Sequence, residues 1–381
     1  MLTYQEKLQN VTDHFKNGDT NLGYRKLIDC VLDAKNLEFY KECVELTEWK
    51  ETNLPSDGEL TQKVFAFISK LSTIEVIPKK HTELLKASTI LKKYGRGNFK
   101  LGEISITVNQ GDIWGLVGEN GNGKTTLLRI LAKDLKFDSG TIEYNIGDET
   151  ISDYDLRTKL TYIPQRTPKW YGSLKSNLKF AATHYGIKGE ENELIVNMMI
   201  IRFGLWKYRN HNWNELSSGF KMRFELARTF LRAPKILLLD EPLANLDVLA
   251  QQMVLEDLKN LSQSLSNPLG IILSSQQLFE VEKVSDKVLF LKNGAPTHLS
   301  DANSDNEKLC YMELDTDSNR ELLNKALEQI SIRKIDYNGG MYLITIEESS
   351  SFNQVLTALI QHDIEIKYVR NISQSTKRLF I

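Results

Sequence analysis

Gly118-Glu119-Asn120-Gly121-Asn122-Gly123-Lys124-Thr125 follows the apolar run Ile113–Val117 and precedes Thr126-Leu127-Leu128-Arg129-Ile130-Leu131. Glycines at this spacing let a loop turn backbone N–H groups toward one point, and a helix starting at Lys124 adds the positive end of its dipole. Such a point suits phosphate oxygens. Gly118, Asn120, Gly121, Gly123 and Thr126 would then cradle a nucleotide, Lys124 would reach its β- and γ-phosphates, and Thr125 would ligate Mg²⁺.

A second stretch, Lys235-Ile236-Leu237-Leu238-Leu239-Asp240-Glu241-Pro242, is an apolar run ending in two acids. A buried central strand accounts for the apolar part. It does not account for carboxylates where the strand emerges, the edge at which α/β sheets bind ligands. Asp240 is the natural Mg²⁺ ligand there, and Glu241 the group to polarise an attacking water. The two stretches match the Walker A and Walker B patterns.

Between them stands Leu216-Ser217-Ser218-Gly219-Phe220-Lys221-Met222-Arg223. With that order of motifs, residues from about Thr89 to Gly294 resemble the ATP-binding cassette (ABC) ATPases. The resemblance implies a P-loop NTPase fold with a helical subdomain, ATP and Mg²⁺ as ligands, and a homodimer or heterodimer enclosing two ATP molecules. In that arrangement Ser217, Ser218 and Gly219 face the nucleotide of the opposite subunit. Tyr94 is similar to the aromatic that stacks on adenine, with Phe99 as competitor and core packing as the other reading. Gln165, in Tyr162-Ile163-Pro164-Gln165, is similar to the glutamine that touches Mg²⁺ or water. Asp247, in Ala244-Asn245-Leu246-Asp247, matches the loop crossing the dimer interface, with a helix N-cap as its rival.

One position departs from the family. Gln276 stands where a histidine usually sits, in Ser274-Ser275-Gln276-Gln277-Leu278. An amide can donate to a γ-phosphate oxygen but cannot relay a proton as imidazole can. The expectation is a slowed ATPase in which Glu241, Gln165 and Gln276 form the catalytic set.

The elements that must carry these residues follow from periodicity. Residues 1–80 read as an all-α accessory domain: Leu22, Tyr24, Leu27, Ile28, Val31 and Leu32 recur near the 3.6 period, and their simplest role is that domain's own core. Ile77-Pro78-Lys79-Lys80 reads as a linker. Residues 85–299 alternate β-branched runs with helical stretches, an α/β layer with buried parallel strands. Asp301–Glu307 is a second polar linker. Residues 308–381 order as strand Cys310–Leu314, helix Arg320–Gln329, strand Ile332–Tyr337, strand Met341–Glu347, helix Phe352–His362 and strand Ile364–Arg370. With a hairpin turn at Asn338-Gly339-Gly340, this is a ferredoxin-like βαββαβ α+β domain.

Composition bounds the partners. The 48 basic and 50 acidic side chains nearly cancel, so no global field favours nucleic acid. Cys30, Cys43 and Cys310 are too few for a disulfide framework and fit a reducing compartment. No apolar run reaches the roughly 18 residues a spanning helix needs, and the N-terminus lacks signal-peptide order. The expected location is cytoplasmic, at the inner face of a membrane through an integral-membrane partner. Trp170 and Tyr171, after the Gln165 segment, either dock that partner or pack within the helical subdomain. The single cassette, the Ser-Ser-Gly-Phe variant and the C-terminal extension resemble ATPase subunits of exporters with separate membrane chains. The alternative is a regulatory ATPase without transport that uses its N-terminal helices as an interaction module. Ribosome-associated cassettes carry two cassettes and basic arms, and repair ATPases need a long coiled coil between Lys124 and Leu216; neither feature is present.

Overall fold

The computed structural model describes residues 2–78, 82–95, 99–147, 152–297, 309–338 and 340–373. Lys79, Lys80, Gly339, the linker Asp301–Glu307 and the final Arg378–Ile381 lie outside the described residues.

Four helices open the chain: α1 (Tyr4–Lys16), α2 (Thr20–Ala34), α3 (Leu37–Asn53) and α4 (Asp57–Leu71). Each begins where a side-chain oxygen caps an otherwise unpaired N–H: Thr3 and Ser56 in reciprocal capping boxes with Glu6 and Glu59, Asp19 and Asn36 singly. Gly23 lets α1 and α2 approach, since a Cβ there would sit 2.7 Å from the Phe15 ring.

The middle of the chain runs β1 (Glu83–Lys93), β2 (Lys100–Asn109), β3 (Ile113–Val117), α5 (Lys124–Leu131), β4 (Ser139–Tyr144), α6 (Asp153–Lys159) and β5 (Leu160–Ile163). It continues through α7 (Leu174–His184), α8 (Gly189–Arg202), α9 (Ser218–Phe230), β6 (Ile236–Leu239), α10 (Val248–Ser262), β7 (Gly270–Ser275), α11 (Leu278–Glu282), β8 (Lys287–Lys292) and β9 (Ala295–Thr297). Two sheets result. The larger has the order β5-β6-β7-β3-β8-β9, parallel except at β9; the smaller is antiparallel, β2-β1-β4. Ile236–Leu239 is fully buried, as an apolar run covered on both faces must be. The smaller sheet packs Ile90, Leu101 and Ile104 against Leu127, Leu128 and Leu131 of α5, seating that helix between the sheets.

The last unit is β10 (Cys310–Asp315), α12 (Arg320–Ala326), β11 (Ile332–Asn338), β12 (Met341–Ile346), α13 (Phe352–Gln361) and β13 (Tyr368–Asn371). Its antiparallel sheet has the order β11-β12-β10-β13. This is the βαββαβ succession expected. The last strand starts at Tyr368 rather than Ile364, because Ile364 is buried beneath the end of α13 instead of pairing.

The core of the N-terminal helices does not stop at those helices. Leu27 and Val31 of α2 belong to one buried cluster with Val196, Ile200 and Phe203 of the α8 region and Leu258 of α10. The reason is α8, whose Val196, Met198, Met199, Ile200 and Ile201 are buried around most of its circumference and need cover on more than one face. Asp257 of α10, 0% exposed, lies at this junction and pairs with Arg25, Arg202 and Arg223. Asp257→Ala is expected to cost about 3–5 kcal/mol, the penalty of leaving buried charge unpaired. A lowered urea midpoint at unchanged far-UV signal is the measurement.

Candidate functional site

Loop 118–123 leaves β3 at the C-terminal edge of the parallel sheet and enters α5. Two glycines are required by contact. A Cβ on Gly118 would lie 2.4 Å from the Leu291 carbonyl oxygen, and one on Gly123, at φ +96°, would meet Leu101 at 2.7 Å and Phe99 at 2.9 Å. Asn122 fastens the loop from behind, its Oδ1 accepting from Asn293 N at 2.8 Å.

Lys124 is 5% exposed and curls into the loop. Its Nζ donates to Gly118 O at 2.5 Å and Glu119 O at 3.2 Å, and stands 3.4 Å from Glu241 Oε1. Thr125 Oγ1 donates to Asp240 Oδ2 at 2.8 Å, so the glycine loop and the end of β6 meet as expected. Two residues not foreseen complete the surroundings of Asp240: Tyr162 donates to Oδ2 at 3.1 Å and Ser274 to Oδ1 at 2.9 Å. Burial and the neighbouring Asp240 charge hold the Tyr162 hydroxyl well above the ordinary phenol range, so it stays a donor. Ser274 Oγ also accepts from Glu241 N at 2.8 Å, tying β7 to the turn after β6. The only forward signal for either residue was its position at a strand end beside Gln165 or Gln276.

Glu241 adopts φ +47°, left-handed backbone that a non-glycine residue holds only when its surroundings enforce it. Its Oε2 accepts from Gln165 Nε2 at 3.1 Å and from Gln276 Nε2 at 2.9 Å. Gln165 and Gln276, far apart in sequence, thus converge on the Glu241 carboxylate.

Above the loop, Tyr94 and Phe99 line a cavity of about 350 Å³ together with Asn120, Gly121, Gly123 and Thr126. Tyr94 is 39% exposed and its hydroxyl lies 3.3 Å from Thr126 Oγ1; Phe99, 6.0 Å away between ring centres, is the residue packed on Gly123. The exposed face belongs to Tyr94.

Ser217, Ser218, Gly219 and Asp247 do not line this cavity. They sit together elsewhere: Ser217 caps α9, Ser218 Oγ donates to Asn245 O at 2.9 Å, and Asp247 caps α10 through Ala250 N at 2.9 Å. Gly219 lets the two helix starts touch, a Cβ there lying 3.0 Å from that of Ala250. The N-cap rival for Asp247 is therefore realised, in a position that leaves its loop on the surface.

The donor set fits the ligands the sequence implied. Thr125 hydroxyl, Asp240 carboxylate and the Gln165 amide are oxygen donors suited to a hard divalent cation, and the glycine contacts leave the cradle open only where side chains are absent. A glycine loop at the mouth of a parallel sheet, facing an Asp-Glu pair at the end of β6, one strand beyond the intervening β7, defines a P-loop nucleotide hydrolase.

Comparisons with known proteins narrow the class. The family profile described as "ABC transporter" matches residues 101–244. The ABC transporter ATP-binding protein YtrB of Bacillus subtilis is 26% identical over 284 residues, 72% of this chain and 92% of that protein. An ABC transporter ATP-binding protein of Methanocaldococcus jannaschii is 31% identical over 224 residues, 58% of this chain and 80% of that protein. Among solved structures, cbiO1 of Clostridium perfringens, described as part of an ABC transporter complex, superposes with a TM-score of 0.50 at 26% identity, covering 56% of this chain and 87% of that one. The chain belongs to the ABC transporter ATP-binding protein family. It is an ATPase that binds ATP with Mg²⁺. Among the described residues no helix is long and apolar enough to cross a membrane.

Proposed function

We propose that this chain is the motor subunit of an exporter, pairing with a second cassette around two Mg-ATP and driving a separate membrane-embedded partner. The observation that carries the pairing is the separation within one chain between the glycine cradle and the Ser217-Ser218-Gly219 helix start. Each opens a helix, whose first backbone N–H groups suit a phosphate, and the second does not line its own subunit's cavity. A second subunit brings the two together.

Gly118, Asn120, Gly121, Gly123 and Thr126 hold the triphosphate, with Tyr94 against the adenine. Thr125, Asp240 and Gln165 would hold the magnesium ion, which when bound neutralises charge on the phosphate oxygens. Glu241 accepts a proton from the attacking water, held in place by Gln165 and Gln276. Binding closes the pair by adding γ-phosphate contacts across it, and cleavage removes them.

Gln276 directs its amide at Glu241 and cannot relay a proton. Gln276→His is expected to raise single-turnover ATP cleavage, with about 10²-fold, the low end for a positioned acid–base group, as the ceiling. No rise would show that the absence of an imidazole at position 276 does not limit cleavage.

The surface after Gln165 supports membrane-partner docking in part. Trp170 is taken up internally: Nε1 donates to Glu225 Oε1 at 2.6 Å, and the Arg228 guanidinium lies 4.8 Å from its ring centre. Tyr171, 90% exposed, and Phe180, 74% exposed, remain outside. Aromatic residues left so wet suit a hot spot for a partner. In membranes from cells expressing the tagged chain, the native protein is expected to sediment with a multi-spanning protein and the Tyr171→Ser, Phe180→Ser double variant to stay in the supernatant. A native chain that never sediments would leave only the non-transport reading.

A further inference from the structure

Arg25, Asp29 and Asp33 recur at every fourth residue of α2 and so share one face of that helix. Exposed, such a stripe would be an ordinary solvated surface. Here all three are spent on the cassette. Arg25 Nη1 binds Glu256 at 2.5 Å and Nη2 binds Asp257 Oδ1 at 2.8 Å, both on α10. Asp29 pairs with Arg202 at the end of α8, and Arg202 Nη1 donates to Asp257 Oδ1 at 2.7 Å. Asp33 accepts from Lys7 Nζ, Ser264 Oγ, Leu265 N and Ser266 N, the last three on the segment between α10 and β7.

The hub, Asp257, turns its other oxygen toward α9: Arg223 Nε lies 3.4 Å from Oδ2, an ion-pair approach without a hydrogen bond. Arg202, Arg223 and Asp257 have side chains 2%, 7% and 0% exposed. The six groups Arg25, Arg202, Arg223, Asp29, Glu256 and Asp257 balance, three charges of each sign. Buried charge of this kind is weak as a source of stability and strong as a constraint on geometry, because any shift of one helix leaves a desolvated charge unmatched. Arg223 lies on the helix whose first residues are Ser218 and Gly219. A rigid helix carries its orientation the roughly 7.5 Å to that end at 1.5 Å per residue.

We propose that α2 is a positioning element for the signature helix: through Arg25 and Asp29 it sets α9 against α10 and so aims Ser217-Ser218-Gly219 at the partner's nucleotide. Arg25 acts through Asp257 and Arg223 and touches no nucleotide. The inference rests on the pairing in the preceding section for its catalytic consequence, and on the charge cluster alone for its structural one.

The test uses the full chain with Arg25→Met, which keeps the aliphatic bulk, and Arg25→Lys, which keeps the charge. Amide hydrogen exchange at residues 218–224 is expected to quicken by about tenfold or more in Arg25→Met while that of α5 at 124–131 stays as in the parent. ATP affinity is expected to hold within about twofold, with kcat falling about tenfold and Arg25→Lys recovering most of both losses. Unchanged exchange in α9, equal quickening in α5, or lost ATP affinity would each overturn the proposal. Failure of the pairing shows up separately, as a Glu241→Gln chain that stays monomeric with Mg-ATP while the exchange result still decides the role of α2.

Discussion

Glu241→Gln is expected to bind Mg-ATP as the parent does, to cleave it about 10²–10⁴-fold more slowly, and to elute as a dimer in gel filtration when Mg-ATP is present. The amide is nearly the same size as the carboxylate it replaces, so the left-handed turn at residue 241 and the backbone bond from Glu241 N to Ser274 need not change. What changes is basicity. The carboxylate that accepts from Gln165 and Gln276 and faces Lys124 at 3.4 Å is the acceptor best placed for a proton from water beside the cradle. Without it the γ-phosphate persists, and so do the contacts it makes across the pair. A variant that holds ATP yet stays monomeric would refute the two-nucleotide arrangement, and one that cleaves at the parent's rate would remove Glu241 from the chemistry.

Lys124→Ala should act one stage earlier. Lys124 Nζ now satisfies the carbonyls of Gly118 and Glu119 and balances Glu241. Its removal takes away the point charge the β- and γ-phosphates require and leaves Glu241 to repel them. Calorimetry is expected to show Mg-ATP affinity weakened beyond easy detection, and turnover at saturating nucleotide to fall by about 10²–10³-fold, the cost of losing one preorganised electrostatic partner of the transition state. The circular dichroism spectrum should remain that of the parent, because the surrounding core of Leu127, Leu128 and Leu131 is untouched. Intact affinity in a folded variant would mean that the triphosphate sits elsewhere.

What the amino-acid order determined alone was whatever is local. The glycine cradle is contiguous, so strand, loop and helix had to be adjacent, and spacing alone placed Lys124 and Thr125. Ile236–Leu239 followed by Asp240 and Glu241 is equally self-contained, an apolar strand whose acids can emerge only at its end. The βαββαβ unit was legible for the same reason, since its alternating and 3.6-period runs are separated by clear turns. The tertiary structure decided which distant residues meet. Tyr162 and Ser274 become donors to Asp240 only because β5 and β7 flank β6. Trp170 and its neighbour Tyr171 carry the same kind of sequence signal, yet one is held by Glu225 and the other is left in water. The stripe Arg25, Asp29, Asp33 has the spacing of any solvated helix face. Only the docking of α2 on α8 and α10 converts it into a buried charge network, because periodicity reports which side of a helix is polar and not what is packed against it.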